Sequence, residues 1–281
     1  MKTYSAGPRR ERFSPIACPL CGSGRYAPRF EGSGYRFVTC LDCRLVYQNP
    51  QPLPSGLPGR YGQSYFEYER RNEDNFFRLM ELGLRDIDFA GLAEGLPHPR
   101  RALDVGCATG MLLASLHAGD WEVQGVDLCP QSARYALEER GVPVFVGTLE
   151  QARFPESSFQ LVHFSHLIEH LPGPAGFLRE VHRILRPEGF AVVTTPNIDG
   201  LQARLFRGRW RSAIADHLCL FSKKTLRRLL ADSGFRVLRT QTWGGLAAGA
   251  APGWLKRPAD VLAKRLGFGD VVLMLAAKQT G

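Results

Sequence analysis

The sequence predicts an α/β fold: a doubly wound, mainly parallel, Rossmann-like sheet with a small cysteine-bearing segment ahead of it. Two observations carry this. From residue 101 onward, short apolar runs closed by turn residues alternate with amphipathic stretches, as strands alternate with helices. Ahead of them, four of the seven cysteines form two C-x-x-C pairs, Cys18-Pro-Leu-Cys21 and Cys40-Leu-Asp-Cys43, separated by 18 residues.

That spacing matches a tetrahedral four-cysteine zinc site, in which two knuckles offer four thiolates to one ion. "YRFVT" between the pairs is a short β run after a glycine-rich turn, as in a zinc ribbon. With few large apolar residues the segment builds little core of its own, and a structural Zn2+ would supply its folding energy. Four sulfurs close the coordination sphere, so no catalytic role is expected there. Cys107, Cys129 and Cys219 are scattered.

The 281 residues are 44% hydrophobic and 22% charged, a globular composition. No apolar run approaches the roughly 20 residues that span a bilayer. "MKTYSAGPRRERFSP" has charge but no apolar h-region, so a cytoplasmic location is expected. The net charge of +9 is uneven: residues 51–199 hold 13 basic and 20 acidic side chains, whereas residues 200–240 hold 10 basic and 2 acidic. Basic flanks of this kind meet phosphate, nucleic acid or an anionic surface, or are simply solvated helix faces.

The elements follow in order. "NPQPLPSGLPGRYG", residues 49–62, reads as a linker, and residues 73–92 as a helix broken by "LPHPR". "ALDVG" is a buried strand, "CATG" a tight turn and "MLLASLHA" a helix. "WEVQGVD" and "VPVFV" are the second and third strands, with "QSARYALEER" a helix between them. "FQLVHFSH" and "GFAVVTTPN" are the fourth and fifth, with the helix "AGFLREVHRIL" between. "FGDVVLMLAAKQ" reads as a last, antiparallel strand. The expected organisation is a zinc ribbon over 1–50, a linker and helical lid over 51–98, and a ligand-binding domain over 99–281 with a substrate-recognition insertion at about 199–221.

Ligands of such sheets lie outside the carboxyl ends of the strands. Gly106 and Gly110 form G-x-x-x-G, so the dinucleotide pattern G-x-G-x-x-G is not met. Asp104 sits near the first strand's end, where a carboxylate repels pyrophosphate and suits a cationic ligand. Asp127 ends the next strand, 23 residues on, where an acidic side chain accepts hydrogen bonds from ribose hydroxyls. Together these point to S-adenosylmethionine (SAM).

"LDVGCATG" resembles the first motif of class I SAM-dependent methyltransferases, with Ala108 where many members have glycine, and "VQGVDLCP" resembles their second motif. "PESSFQLVHFSHLIEHLPGP", "EVHRILRPEGFAVVTTPN" and "DHLCLFSKKTLRRLLADSGFRV" resemble later segments, so the likeness covers about residues 100–240. The front end, with "QNPQP" and "YGQSYFE", resembles a bacterial branch linked to glycans or secondary metabolites. The resemblance implies a seven-stranded methyltransferase sheet. It implies cofactor contacts at Gly106, Cys107, Ala108 and Gly110, at Asp127 and Leu128, at Thr148 and Leu149, and at Ser165. Thr148 departs from the acidic residue common near the adenine.

"FSHLIEH" contains H-x-x-E-H, the inverted zinc-protease pattern. "LPGP" follows at once and stops a helix, and no third ligand is evident downstream, so a catalytic metal is not expected. His166 at the fourth strand's carboxyl end is the expected base for an acceptor hydroxyl, with His170 and His217 as further catalytic candidates. Glu169 is expected to hold local structure, and His163 is a packed strand residue. In "YGQSYFEYE", Tyr65 is the candidate to close over the cofactor. "RLFRGRWRS" offers Arg207, Arg209, Trp210 and Arg211 to an acceptor bearing phosphate or a lipid-linked group. Residues 244–267 read as a connector with one basic amphipathic helix, or as a surface that touches a membrane. The expected function is methyl transfer to an oxygen of a small molecule, a glycan, phosphorylated or secondary-metabolite acceptor. The alternatives are an RNA methyltransferase that uses the ribbon and basic flanks, and a non-enzymatic interaction module.

Overall fold

The computed structural model describes residues 12–32, 35–53, 60–244, 263–264 and 266–279. Most of the basic stretch expected over 244–267 therefore lies outside the described residues, as do residues 54–59 of the expected linker.

The chain begins with five short strands: β1 (Phe13–Ser14), β2 (Tyr26–Gly32), β3 (Tyr35–Cys40), β4 (Val46–Gln48) and β5 (Gln51–Pro52). β1 pairs antiparallel with β5, and β2, β3 and β4 form an antiparallel meander. Two helices follow, α1 (Gln63–Asp86) and α2 (Phe89–Glu94). α1 starts ten residues earlier than the apolar spacing predicts. The chain then breaks at Asp88, whose φ of 50° no α-helix carries.

The α/β core runs β6 (Arg100–Val105), α3 (Met111–Ala118), β7 (Trp121–Asp127), α4 (Pro130–Arg140), β8 (Val144–Val146), α5 (Leu149–Ala152), β9 (Phe159–Ser165), α6 (Pro174–Ile184) and β10 (Leu185–Pro196). Next come α7 (Leu201–Phe206), β11 (Cys219–Leu220), α8 (Lys223–Asp232), β12 (Phe235–Trp243) and β13 (Val271–Lys278). Pro130 starts α4 and Gly141, at φ 66°, ends it, the asymmetry these two residues favour. Ser222 and Thr225 close α8 with a reciprocal capping box.

Seven strands form one sheet in the order β12-β13-β10-β9-β6-β7-β8. β6, β7, β8, β9 and β10 are parallel, and β13 inserts antiparallel between β10 and β12. Helices cover both faces, so β9 and most of β6 are buried along their length and β13 is a near-continuous apolar run. The predicted doubly wound architecture and the antiparallel last strand are present.

The second sheet joins the N-terminal cysteine module to the segment after β10. β11, from the segment after β10, pairs antiparallel with β4, giving the order β11-β4-β3-β2. One apolar core accordingly runs from Cys18, Val38, Leu45 and Tyr47 through Cys219 and Phe221 to Phe164, Ile168 and Val193. Gln48, itself buried, donates from Nε2 to the carbonyls of Ala215 (2.8 Å) and His217 (2.6 Å). Gln51 donates to Leu218 O at 3.2 Å. Among the described residues, no helix is long and apolar enough to cross a membrane.

Candidate active site

The carboxyl ends of the parallel strands β6, β7, β9 and β10 lie side by side, framing the cleft in which such sheets bind ligands. After β6 the chain turns through Gly106 (φ 75°), Ala108 (φ 46°) and Gly110 (φ 76°), all left-handed. Glycine adopts this conformation without strain, whereas an L side chain costs roughly 1–2 kcal/mol. A Cβ on Gly110 would also meet the Ala136 methyl at 3.0 Å, so Gly110 lets α3 and α4 approach. Cys107 is buried beneath the turn.

Asp127 ends β7 and braces this turn. Its Oδ2 accepts from Ala108 N at 2.9 Å and its Oδ1 from Cys129 N at 2.8 Å. Burial, assisted by Asp104, pushes its carboxyl up to about 6, while the backbone donors oppose this. Each oxygen keeps a lone pair for a further donor such as a ribose hydroxyl. Asp104 faces His163 across the β6–β9 register, and its Oδ1 lies 2.7 Å from His163 Nδ1, both side chains buried. The packing expected of His163 thus has a specific partner. Leu128 follows Asp127 half-buried, while Leu149 sits in the core. The Thr148 hydroxyl accepts from Gln151 N and its own N–H bonds Gln151 Oε1, so its side chain caps α5.

The N-terminal end of α1 lies over this region. Tyr65 stacks edge-on against Tyr61 at 5.1 Å, and α1 is tied to α4 by Arg140–Glu73 (3.0 Å) and Phe66–Tyr135 (5.7 Å). Burial, then the charges of Glu69 and Asp127, push the Tyr65 hydroxyl up. Glu69 hydrogen-bonds Tyr65, and burial with Asp127 lifts its carboxyl to about 7 against the pull of His166. Sequence reasoning named Tyr65 and missed Glu69. The signal was there: residues i and i+4 share a helix face, so a helix that aims Tyr65 at the cleft also aims Glu69.

On the opposite side stands the lip that follows β9. Ser165 ends the strand half-buried. His166 takes φ 52°, and its N–H donates to Thr194 O at 2.8 Å. Its Nδ1 lies 3.1 Å from Glu169 Oε1, and its side chain is 49% exposed beside a fully buried Glu169. Thr195 Oγ1 donates to Glu169 Oε2 at 2.9 Å. Burial raises the Glu169 carboxyl, but the His166 hydrogen bond and the three surrounding histidines hold it at about 2. Residues 168–170 make a single 3-10 turn, as "LPGP" requires.

His217 arrives from 47 residues further on. It stacks edge-on against His170 at 4.7 Å. His170 Nδ1 bonds Asp216 O at 2.9 Å and His217 Nδ1 bonds Ser212 O at 2.8 Å. Burial, then His170, push the His217 ring down to about 3, so it is neutral at pH 7. Arg60, buried, pairs with Asp216 at 2.8 Å. The three catalytic candidates thus lie together around Glu169.

The arginine-rich segment is dispersed. Trp210 is buried, donating from Nε1 to Asp270 Oδ1 at 2.6 Å, and Arg211 binds the other oxygen of Asp270 at 2.7 Å. Arg204 lies over the Phe268 ring, whereas Arg207 and Arg209 are exposed.

At the N-terminal module, the Sγ atoms of Cys18, Cys21, Cys40 and Cys43 lie within 4.8 Å of one another. Cys18–Cys43 and Cys21–Cys40 separations are 3.4 and 3.5 Å, against roughly 3.8 Å between sulfurs of a tetrahedral ion with about 2.3 Å bonds. The N–H groups of Leu20 and Cys21 aim at Cys18 Sγ, and those of Asp42 and Cys43 at Cys40 Sγ. Such donors stabilise thiolates, so the donor set fits Zn2+.

The cleft is equally suited to SAM. The carboxyls of Asp104, Asp127, Glu69 and Glu169 interact with one another and with the Tyr61 and Tyr65 side chains around it, and such a concentration of acidic groups attracts a sulfonium and repels phosphate.

Comparison with known proteins agrees with this geometry. Over 153 residues the chain is 30% identical to a ubiquinone biosynthesis O-methyltransferase from Bordetella avium, covering 51% of this chain and 58% of that protein. It is 34% identical over 149 residues to the probable methyltransferase PMT21 of Arabidopsis thaliana, covering 49% of this chain and 23% of that one. The chain thus spans a little over half of one relative and a quarter of the other. A SAM-dependent methyltransferase from Archaeoglobus fulgidus superposes with a TM-score of 0.56 at 20% identity, over 77% of this chain and all of that one, which shows the fold. A family model described as a methyltransferase domain matches residues 71–240. That is more than half of the chain, and the chain belongs to this methyltransferase-domain family, built on the class I SAM-dependent architecture.

Proposed function

We propose that the protein transfers a methyl group from SAM to a hydroxyl of a small-molecule acceptor, with Zn2+ held by the four cysteines for structure only. The observation that carries the oxygen-directed reading is the His166–Glu169 pair at the lip of the cofactor cleft. A carboxylate only accepts, so His166 Nδ1 carries the hydrogen and Nε2 presents a lone pair to the cleft. This is the arrangement of a general base oriented by a buried acid. Asp127 would receive the ribose hydroxyls, the glycine turn from Gly106 to Gly110 would admit the cofactor backbone closely, and Tyr65 with Glu69 would cover it.

The bound cofactor supplies an electrophilic methyl carbon. The protein's part is to hold the acceptor oxygen in line with that carbon and to take its proton at His166 Nε2. Arg207 and Arg209, exposed after β10, would meet an anionic group on the acceptor, consistent with a phosphorylated or lipid-linked molecule. Similarity to an O-methyltransferase of ubiquinone biosynthesis supports the choice of oxygen.

Titration calorimetry tests the cofactor reading. Wild-type protein binds SAM, and Asp127→Ala weakens that binding by at least ~10-fold, the loss of a charge-assisted hydrogen bond. A wild-type protein that binds no SAM ends the proposal. Mass spectrometry of a cell extract incubated with protein and methyl-labelled SAM identifies the acceptor.

A further inference from the structure

We infer that Glu169, His170 and His217 form a second metal site, for a divalent first-row transition ion, at the lip of the methyl-transfer cleft. One ligand-capable atom of each lies within 4.8 Å of the others. The protease-like pattern lacked its third ligand along the sequence. The fold instead brings His217, from the segment before β11, to Glu169 and His170, and His166 is not one of the three.

The hydrogen-bond chemistry shows which ring nitrogens are free to bind an ion. His170 Nδ1 and His217 Nδ1 each bond a backbone carbonyl, of Asp216 and of Ser212. A carbonyl has no hydrogen to give, so both Nδ1 atoms carry one, and both Nε2 atoms hold lone pairs. Among the described residues, no hydrogen bond occupies either Nε2. Histidine ligands of metals are oriented this way, with the far ring nitrogen donating to a carbonyl or carboxylate. Glu169 completes the set: its oxygens already accept from His166 and Thr195, and each retains a lone pair. Each ring thus keeps one nitrogen free for an ion, beside a fully buried Glu169 and a nearly buried His217, and a cation would add to the charge that already favours the Glu169 anion.

The ligands are also held in place. Leu218 N donates to Glu169 O at 2.7 Å, which fixes the His217 segment to the Glu169 turn. Gln48 of the N-terminal module grips His217 O from the other side. Two imidazoles and a carboxylate suit Zn2+, Fe2+ or Co2+ and leave coordination positions open. The half-exposed His166 stands beside them.

The role rests on the methyl-transfer reading above. The ion would bind the acceptor's hydroxyl oxygen and lower its pKa. The O–H bond breaks and its proton passes to His166 Nε2. The oxygen then forms a bond to the methyl carbon, the carbon–sulfur bond breaks, and its electron pair leaves the sulfur as a neutral thioether.

Cobalt titration of the metal-stripped full chain tests the site. Two equivalents of Co2+ are expected, one with intense thiolate charge-transfer bands and one with only weak visible bands. Cys40→Ser removes the first. His170→Ala and Glu169→Gln weaken the second by more than the ~100-fold that loss of an outer-shell partner already costs, and the surviving thiolate bands report that the chain is folded. X-ray absorption of the second ion in the wild type shows nitrogen and oxygen neighbours with imidazole scattering, whatever the variants do. Saturation at one thiolate-bound equivalent, or a second ion that persists in both variants, overturns the inference. A preparation that takes two equivalents but binds no SAM supports the site and removes its role in methyl transfer.

Discussion

At the scale of single residues, titration ties the cleft to its ligand. On the proposed reading Asp127 must be ionised to accept two ribose hydroxyls, and burial, assisted by Asp104, pushes its carboxyl up to about 6. SAM affinity should therefore fall about tenfold per pH unit below 6. Glu69, lifted to about 7, extends the rise in affinity to near neutrality, because its anion also favours a sulfonium. Other groups that interact with Asp127 are Asp104, Tyr61, Tyr65 and the Cys107 thiol; Asp104 raises the cost of its charge, while Asp127 in turn pushes up the two phenols and the thiol. Calorimetry between pH 5 and 8 measures this, and a flat profile would remove Asp127 from the cofactor site. His166→Ala should lower kcat by about 10²–10⁴ with SAM affinity little changed, read from steady-state rates beside binding isotherms. Asp127 was legible in the sequence because it ends a strand a fixed distance beyond a glycine turn. Glu69 was not, because its significance depends on where α1 lies.

At the scale of elements, the glycine turn and the lip behave differently. The turn is local: strand, left-handed glycines and helix follow one another in the chain, so its conformation could be read from its residues. Gly110→Ala should destabilise the protein by roughly 1–2 kcal/mol for the left-handed backbone, plus the cost of displacing the Ala136 methyl that a Cβ meets at 3.0 Å. Urea unfolding measures it; a loss under about 0.5 kcal/mol would show that the turn relaxes. The lip is assembled from three separate elements. The turn after β9 supplies His166, Glu169 and His170, β10 supplies Thr195, and the segment before β11 supplies His217. Proline and glycine after His170 correctly foretold a short turn in place of a helix. The partner of that turn could not be foretold, because its hydrogen bonds are long-range. The arginine segment shows the same limit: Trp210 and Arg211 read as acceptor contacts, yet both are engaged by Asp270, 60 and 59 residues away.

At the scale of the whole molecule, the N-terminal module and the α/β core are one packing unit. Tyr47, Leu45 and Val38 share a core with Phe164, Ile168 and Phe221, and Gln48 binds the loop that carries His217. If the four cysteines hold Zn2+ as proposed, its loss should travel to the proposed active site. Cys40→Ser, or chelation, is expected to reduce turnover together with the near-ultraviolet circular dichroism of the core, while Asp127 and the glycine turn still bind SAM with weakened affinity. An unchanged turnover in metal-free protein would mean that the module is a separate appendage. The physical basis is the β4–β11 pairing: without the cysteine module, β11 loses its partner strand and His217 loses its Gln48 anchor.

The sequence by itself determined the doubly wound sheet, the glycine turn with Asp104 and Asp127 at neighbouring strand ends, and the spacing of four cysteines. All of these rest on short-range periodicity and on residues close along the chain, where local sterics and strand–helix alternation leave few alternatives. Only the tertiary structure decided that His163 answers Asp104 and that Glu69 joins Tyr65 over the cleft. It also decided that His166, His170 and His217 gather around one buried carboxylate. Those neighbours are set by which strands lie side by side and by the burial that strand order imposes, and residues far apart in sequence meet only once the sheet has closed around them.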